Sequence, residues 1–143
     1  GINPDPAMAF SSSGAAGDID RVNPVLLDLI KQKGLNLTKC TSEILADAGS
    51  VQKVDWLSDE EKKVYKTAFE IDQHVLVRYA ASRQKYVDQG QSTNLFIAHD
   101  DDEGYIARVH QEAFLNEDIL TLYYVYSSSE IKAERTEECA ACQ

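Results

Sequence analysis

The 143-residue sequence predicts an α/β fold, and three features predict it. A strand–helix–strand run over residues 91–126 has the pattern of a βαβ unit, which favours a parallel strand pair with a right-handed crossover. Two helix starts upstream, at Asn23-Pro24 and at Ser58-Asp59-Glu60-Glu61, carry strong capping signals. Hydrophobic residues at 43% and charged residues at 27% suit a soluble domain with a modest core. The length points to one domain.

Residues 1–20 (GINPDPAMAFSSSGAAGDID) are dominated by Gly, Pro, Ser and Asp and show no period, so they read as a lead-in loop. Asn23 is placed to cap a helix with Pro24 at its first position. Val25, Leu26, Leu29 and Ile30 form its apolar face, Lys31 and Lys33 suit the negative end of its dipole, and Gly34 stops it. A second short helix is expected from Thr38 to Ala46, burying Ile44 and Leu45 and ended by Ala48-Gly49-Ser50. The capping box at Ser58 then opens a stripe of Val64, Ala68, Ile71, Val75 and Tyr79 at helical steps. The stripe runs to about Gln84, long for one helix, so a break is expected near Glu70–Asp72. Trp56-Leu57 is placed to staple the first turn. Gln91 to Ala98 is rich in strand formers, and His99 to Gly104 reads as a solvated turn that caps the next helix. There Ile106, Val109, His110, Ala113 and Phe114 share one face. Ile119 to Tyr126 (ILTLYYVY) reads as a strand by composition. From Ser127 the chain turns polar and is expected to form a mobile tail.

The net charge of −10 argues against a surface built for nucleic-acid phosphates. No apolar run approaches a membrane span, and the amino end has no basic segment leading into an apolar one, so neither a membrane anchor nor an export signal is expected. A cytosolic setting is expected. The difficulty is burial, because two strands do not make a stable sheet alone. Either more strands lie within residues 1–57, or this chain completes a core owned by another polypeptide; the second is preferred.

Two groups could carry chemistry. Cys139 and Cys142, separated by two alanines near the carboxyl end, could exchange electrons with a disulfide. They could equally be half of a zinc site completed by Cys40 and one of His74, His99 or His110, or plain surface thiols. A thioredoxin-like site is a poor fit, since there the pair follows a strand and opens a helix. Glu137 and Glu138 would disfavour the thiolate. Tyr123-Tyr124 reads most simply as two strand residues facing opposite sides, one in the core and one at an interface. A relay of phenols for proton-coupled electron transfer is the functional alternative, and stacking of the rings would require a departure from the pleat. His110 reads as a satisfied core residue and Cys40 as a small buried hydrophobe. Asp100–Glu103 lacks the Gly and distal Glu of a calcium loop and reads as a helix cap.

Several stretches in order, VNPVLLDLIKQKG, GSVQKVDWLSDEEKKVYKTAFEID, SRQKYVDQGQSTNLFI, LTLYY and ECAAC, resemble the carboxyl-terminal part of the large catalytic subunit of class I ribonucleoside-diphosphate reductase. The resemblance covers roughly residues 20–143. It implies the last strands and helices of a ten-stranded α/β barrel over residues 21–126, a mobile redox-active tail over 127–143, and a lead-in loop or split-site extension over 1–20. It implies that Tyr123 and Tyr124 transfer the radical, with Tyr124 nearer the small subunit and Tyr123 nearer the substrate, and that Cys139 and Cys142 re-reduce the active-site disulfide. Tyr126 acquires no role from it.

The implied partners are the remaining amino-terminal part of the large subunit, the radical-generating small subunit, thioredoxin or glutaredoxin, and a ribonucleoside diphosphate. No cofactor or metal is expected on this chain. A di-metal radical cofactor is expected on the small subunit, and nucleotide effectors on parts of the large subunit not matched here. Nothing in the sequence matches the family's radical-forming cysteine, its disulfide-forming cysteines, or the glutamate and asparagine of its substrate site, and GINPDPAMAF departs from its phosphate-binding loop. The chain is therefore read as a cut fragment or one product of a split gene, inactive alone, in a bacterial cytosol or a host cytosol if phage-encoded. The competing readings are a non-catalytic fragment that completes a partner's barrel and a zinc-assisted assembly module.

Overall fold

The computed structural model describes residues 1–14 and 17–128. The described chain divides into two units, Pro4–Ala68 and a second made of Gly1–Asn3 with the residues from Phe69 onward. In the first unit, β1 (Ala9–Gly14) pairs antiparallel with β2 (Gly17–Val22), in register from Ala9 opposite Val22 to Gly14 opposite Gly17. This stretch was expected to be an aperiodic loop. Its strands are polar (Ser11 to Ser13; Asp18 and Asp20), so they lack the apolar run that marks a strand. They satisfy their backbones against each other, and the Ser11 hydroxyl donates to Asp20 at 2.5 Å.

The helices α1 (Pro24–Gln32) and α2 (Leu37–Ala46) form where the sequence places them. Asn23 Oδ1 accepts from the amides of Val25 and Leu26 at 3.0 and 3.1 Å, while its Nδ2 donates to Asp5 at 2.7 Å. One side chain therefore caps α1 and ties down the segment before β1. Gly34, at φ 66°, ends α1. Leu26, Ile30, Cys40, Ile44, Val51, Val54 and Leu57 pack with Met8 and Ala9 into the unit's core. Each fully buried Leu or Ile there contributes about 1.5–3 kcal/mol. Val25, expected on the buried face, points to solvent.

The capping box forms as expected at α3 (Asp59–Val64): Ser58 Oγ accepts from the Glu61 amide, and Glu61 accepts from the Ser58 amide. Trp56 and Leu57 join the core cluster. The break expected near Glu70–Asp72 is present and starts earlier. α3 ends at Val64, a single 3-10 turn occupies Ala68–Glu70, and α4 starts only at Gln73 and runs to Gln84. With the register interrupted, Val64 and Tyr79 are exposed, and α4 buries Gln73, Val77, Ala80, Ala81 and Gln84 instead.

In the second unit, β3 (Thr93–Ile97) pairs parallel with β4 (Leu122–Ser127), and α5 (Glu103–Leu115) connects them. The expected βαβ unit is present. Asp102 caps α5 by accepting from the Tyr105 amide at 3.0 Å. Val77 of α4, Leu95 of β3, and Val109 and Ala113 of α5 form the core. Phe114, expected on the buried face of α5, is exposed. Among the described residues the strands make two separate two-stranded sheets, so β1 and β2 do not extend the β3–β4 pair.

Candidate functional site

β4 carries the clustered tyrosines, and the register of the β3–β4 pair decides how they lie. Thr93 stands opposite Leu122, and Leu95 opposite Val125. One residue of β3, Asn94, therefore faces two of β4, Tyr123 and Tyr124. This extra residue is a β-bulge, a feature rare between parallel strands. In an uninterrupted pleat, neighbours point to opposite faces. Here the bulge brings both rings together, with centroids 4.0 Å apart and planes inclined at 49°. A departure from the pleat is thus present, with the rings tilted against each other and not stacked, and the simpler expectation of rings on opposite sides does not hold.

The bulge also leaves an amide to satisfy. The Tyr124 N–H donates to Asn94 Oδ1 at 3.0 Å. Electrostatically the two phenols act on each other. The Tyr123 hydroxyl titrates above its ordinary value, mainly through its hydrogen bond with Tyr124, with smaller contributions from burial and from Tyr126. Both side chains remain accessible, at 61% for Tyr123 and 51% for Tyr124.

The aromatic run extends beyond the pair. Tyr126, two residues past Tyr124, lies 5.8 Å from it between centroids. Its ring stacks on Phe96 at 5.2 Å, and Phe69 meets Phe96 edge-on at 5.6 Å. Leu95 belongs to the core with α4 and α5, so strand alternation puts Phe96 on the opposite sheet face. Gln73 supports that strand from α4: its Oε1 accepts from the buried Phe96 amide at 2.8 Å, and its Nε2 donates to the Ile71 carbonyl at 2.6 Å. Asn94, Gln73 and Phe96 were not singled out from the sequence, because their partners lie far along the chain. No role for Tyr126 follows from the sequence, although its two-residue spacing from Tyr124 is the signal that puts it on the same face.

The remaining candidates do not join this cluster. Cys139 and Cys142 lie outside the described residues. Cys40 is buried, and burial raises its thiol pKa, with Glu43 adding to the effect. His110 bonds the Ile106 carbonyl of its own helix, as a satisfied residue does. His74 bonds Glu112 and so clamps α4 to α5. His99 sits beside Asp100. Among the described residues no three His, Cys, Asp or Glu side chains gather as metal ligands, and no helix is long and apolar enough to cross a membrane.

A sequence model of the family described as "Ribonucleotide reductase, barrel domain" matches residues 1–125. The match therefore reaches the amino end, beyond the segments that carried the resemblance. A putative ribonucleoside-diphosphate reductase large subunit of Frog virus 3 (isolate Goorha) is 36% identical over 99% of this chain and 27% of its own length. The large subunit of Invertebrate iridescent virus 6 is 35% identical over 94% of this chain and 14% of its own. Among solved structures, the Actinobacillus ureae class Id ribonucleotide reductase alpha subunit superposes with a TM-score of 0.70 at 35% identity, over 89% of this chain and 22% of that one. This chain thus spans about a quarter or less of these relatives. It belongs to the ribonucleotide reductase barrel-domain family and corresponds to a carboxyl-terminal portion of the large subunit.

Proposed function

We propose that this chain serves a class I ribonucleoside-diphosphate reductase by carrying electrons to and from a reaction centre built by the rest of the large subunit. Tyr123 and Tyr124 form the path by which the radical enters and an electron leaves. A radical on Tyr124 is filled by one electron and one proton from Tyr123, leaving Tyr124 as a phenol and the radical on Tyr123. The radical-generating di-metal cofactor belongs to the small subunit and supplies the oxidising equivalent. Nucleotide effectors bind parts of the large subunit outside this chain. What supports the reading is the 4.0 Å approach of the two rings on a bulged strand. Proton-coupled transfer falls steeply with distance, and adjacent residues of a regular strand would keep the phenols apart. The neighbouring Tyr124 phenol also raises the Tyr123 pKa.

Cys139 and Cys142 form the path by which electrons enter. A thiolate of the pair attacks the active-site disulfide, forming a mixed disulfide, and the second thiol releases the active-site dithiol. The tail then holds the disulfide, and thioredoxin or glutaredoxin returns it to the dithiol by a two-electron exchange. The tether makes the first attack intramolecular at a raised effective concentration. The reducing cytosol is the compartment this chemistry needs.

The test uses the complete large subunit assembled with the small subunit. Tyr123→Phe and Tyr124→Phe each remove one redox hydroxyl and keep the ring, so both should reduce turnover to background while substrate binding and assembly hold. Activity near wild type in either variant refutes the relay. Cys139→Ser or Cys142→Ser should permit a single turnover and stop recycling by thioredoxin; undiminished multiple turnover refutes the shuttle.

A further inference from the structure

We propose that Asn94 is the positioning residue of the tyrosine pair: by accepting the Tyr124 backbone amide it holds the β-bulge that brings the two phenols onto one face. The functional weight of this assignment rests on the relay reading of Tyr123 and Tyr124, whereas its structural content does not.

Three observations converge. Asn94 is the single β3 residue opposite the two tyrosines, between the flanking pairs Thr93–Leu122 and Leu95–Val125. A bulge interrupts the ladder, and the interrupted amide needs another acceptor. The Asn94 side-chain oxygen is that acceptor, at 3.0 Å from the Tyr124 nitrogen. Without it, the exposed β4 strand has less to hold the extra residue in place. Relaxing to a regular pleat would turn one ring to the opposite face, and the 4.0 Å approach would be lost. Asn suits the role because its short amide reaches across one strand spacing and brings no charge to the phenols. The interaction is small in energy and large in geometric consequence, since a misplacement on the order of 1 Å costs up to about 10²-fold in rate.

The experiment uses the complete large subunit, with 3-fluorotyrosine built in at Tyr123 so that its phenol is titrated by fluorine NMR. The Tyr124 phenol held beside it keeps that midpoint above an isolated fluorotyrosine's. Asn94→Ala should drop the midpoint toward the isolated value. With the small subunit added, and native tyrosine at Tyr123, the same variant should lose about ten-fold or more in kcat at unchanged KM for the nucleotide. Asn94→Asp, which keeps an acceptor at the same reach, should recover most of kcat; its added carboxylate charge raises a nearby phenol by itself, so kcat alone reads the rescue. A midpoint unmoved in Asn94→Ala overturns the assignment, as does an Asn94→Asp variant whose kcat is as low as that of Asn94→Ala. A midpoint that falls in Asn94→Ala while kcat stays at wild type supports the positioning role and overturns the relay instead.

Discussion

Gly49 shows how single residues set the first unit. Its φ is 88°, where an L side chain is strained, and a Cβ there would come within 2.8 Å of the Ala9 carbonyl oxygen. The closeness is structural, because the Met8 amide donates to the Gly49 carbonyl at 2.7 Å. Gly49→Ala should destabilise the chain by about 1–3 kcal/mol, read as a lower urea midpoint at unchanged slope. An unchanged midpoint would mean that this contact relaxes freely. Cys40 makes a chemical prediction at the same scale. Its burial and raised thiol pKa should make it slow to alkylate in the native chain and ordinary in urea. Which residues were legible in the sequence follows from where their partners lie. Asn23 and Ser58 bond amides two or three positions away, so their roles are written locally. Gln73 and Asn94 bond amides 23 and 30 positions away, and no short pattern announces such a contact.

Elements follow the same logic. The βαβ unit and helices α1, α2 and α5 were legible because caps and periods are local signals. The break between α3 and α4 is expected near Glu70–Asp72 and is present, but it begins already at Tyr65, and its earlier start is hidden because the apolar residues from Val64 to Tyr79 keep helical spacing across it. Spacing alone does not reveal that residues 65–72 leave the helix. β1 and β2 were missed because polar strands satisfied by each other carry no hydrophobic pattern. α3 is held differently, by charge. Lys33 Nζ donates to Glu61 at 2.7 Å and to the Trp56 carbonyl at 3.1 Å. The Lys33 ammonium, helped by the Ser58 amide, lowers the Glu61 pKa below its ordinary value. A lowered carboxylate pKa stabilises the fold above the ordinary glutamate value, and the gain is lost as the pH falls through the lowered one. Lys33→Met should therefore weaken the chain at neutral pH, and the gap to wild type should close as the solution is acidified past that range. A gap of equal size at pH 7 and pH 3 would show that Lys33 acts by packing and not by charge.

At the scale of the whole molecule, the distribution of exposure explains why so little of the site is self-contained. β3 is buried along most of its length, whereas β4 is exposed from Tyr123 to Ser127. Phe114, Leu115 and Leu120 of the same unit are also exposed. A two-stranded sheet with one uncovered strand is marginal on its own. The relatives, of which this chain spans 27% or less, have the additional sequence from which further cover could come. Completion of the barrel should then be measurable directly. Hydrogen exchange along Tyr123 to Tyr126 should slow once the remaining large-subunit polypeptide is added, while Leu95 is protected in both. Nucleotide reduction should be absent from the chain alone and appear only with that polypeptide and the small subunit together. The two readouts separate the two claims. Protection without activity would leave a barrel-completing fragment with no electron-carrying role. Activity from this chain unaided would refute the proposal that its tyrosines and cysteines serve a centre built elsewhere.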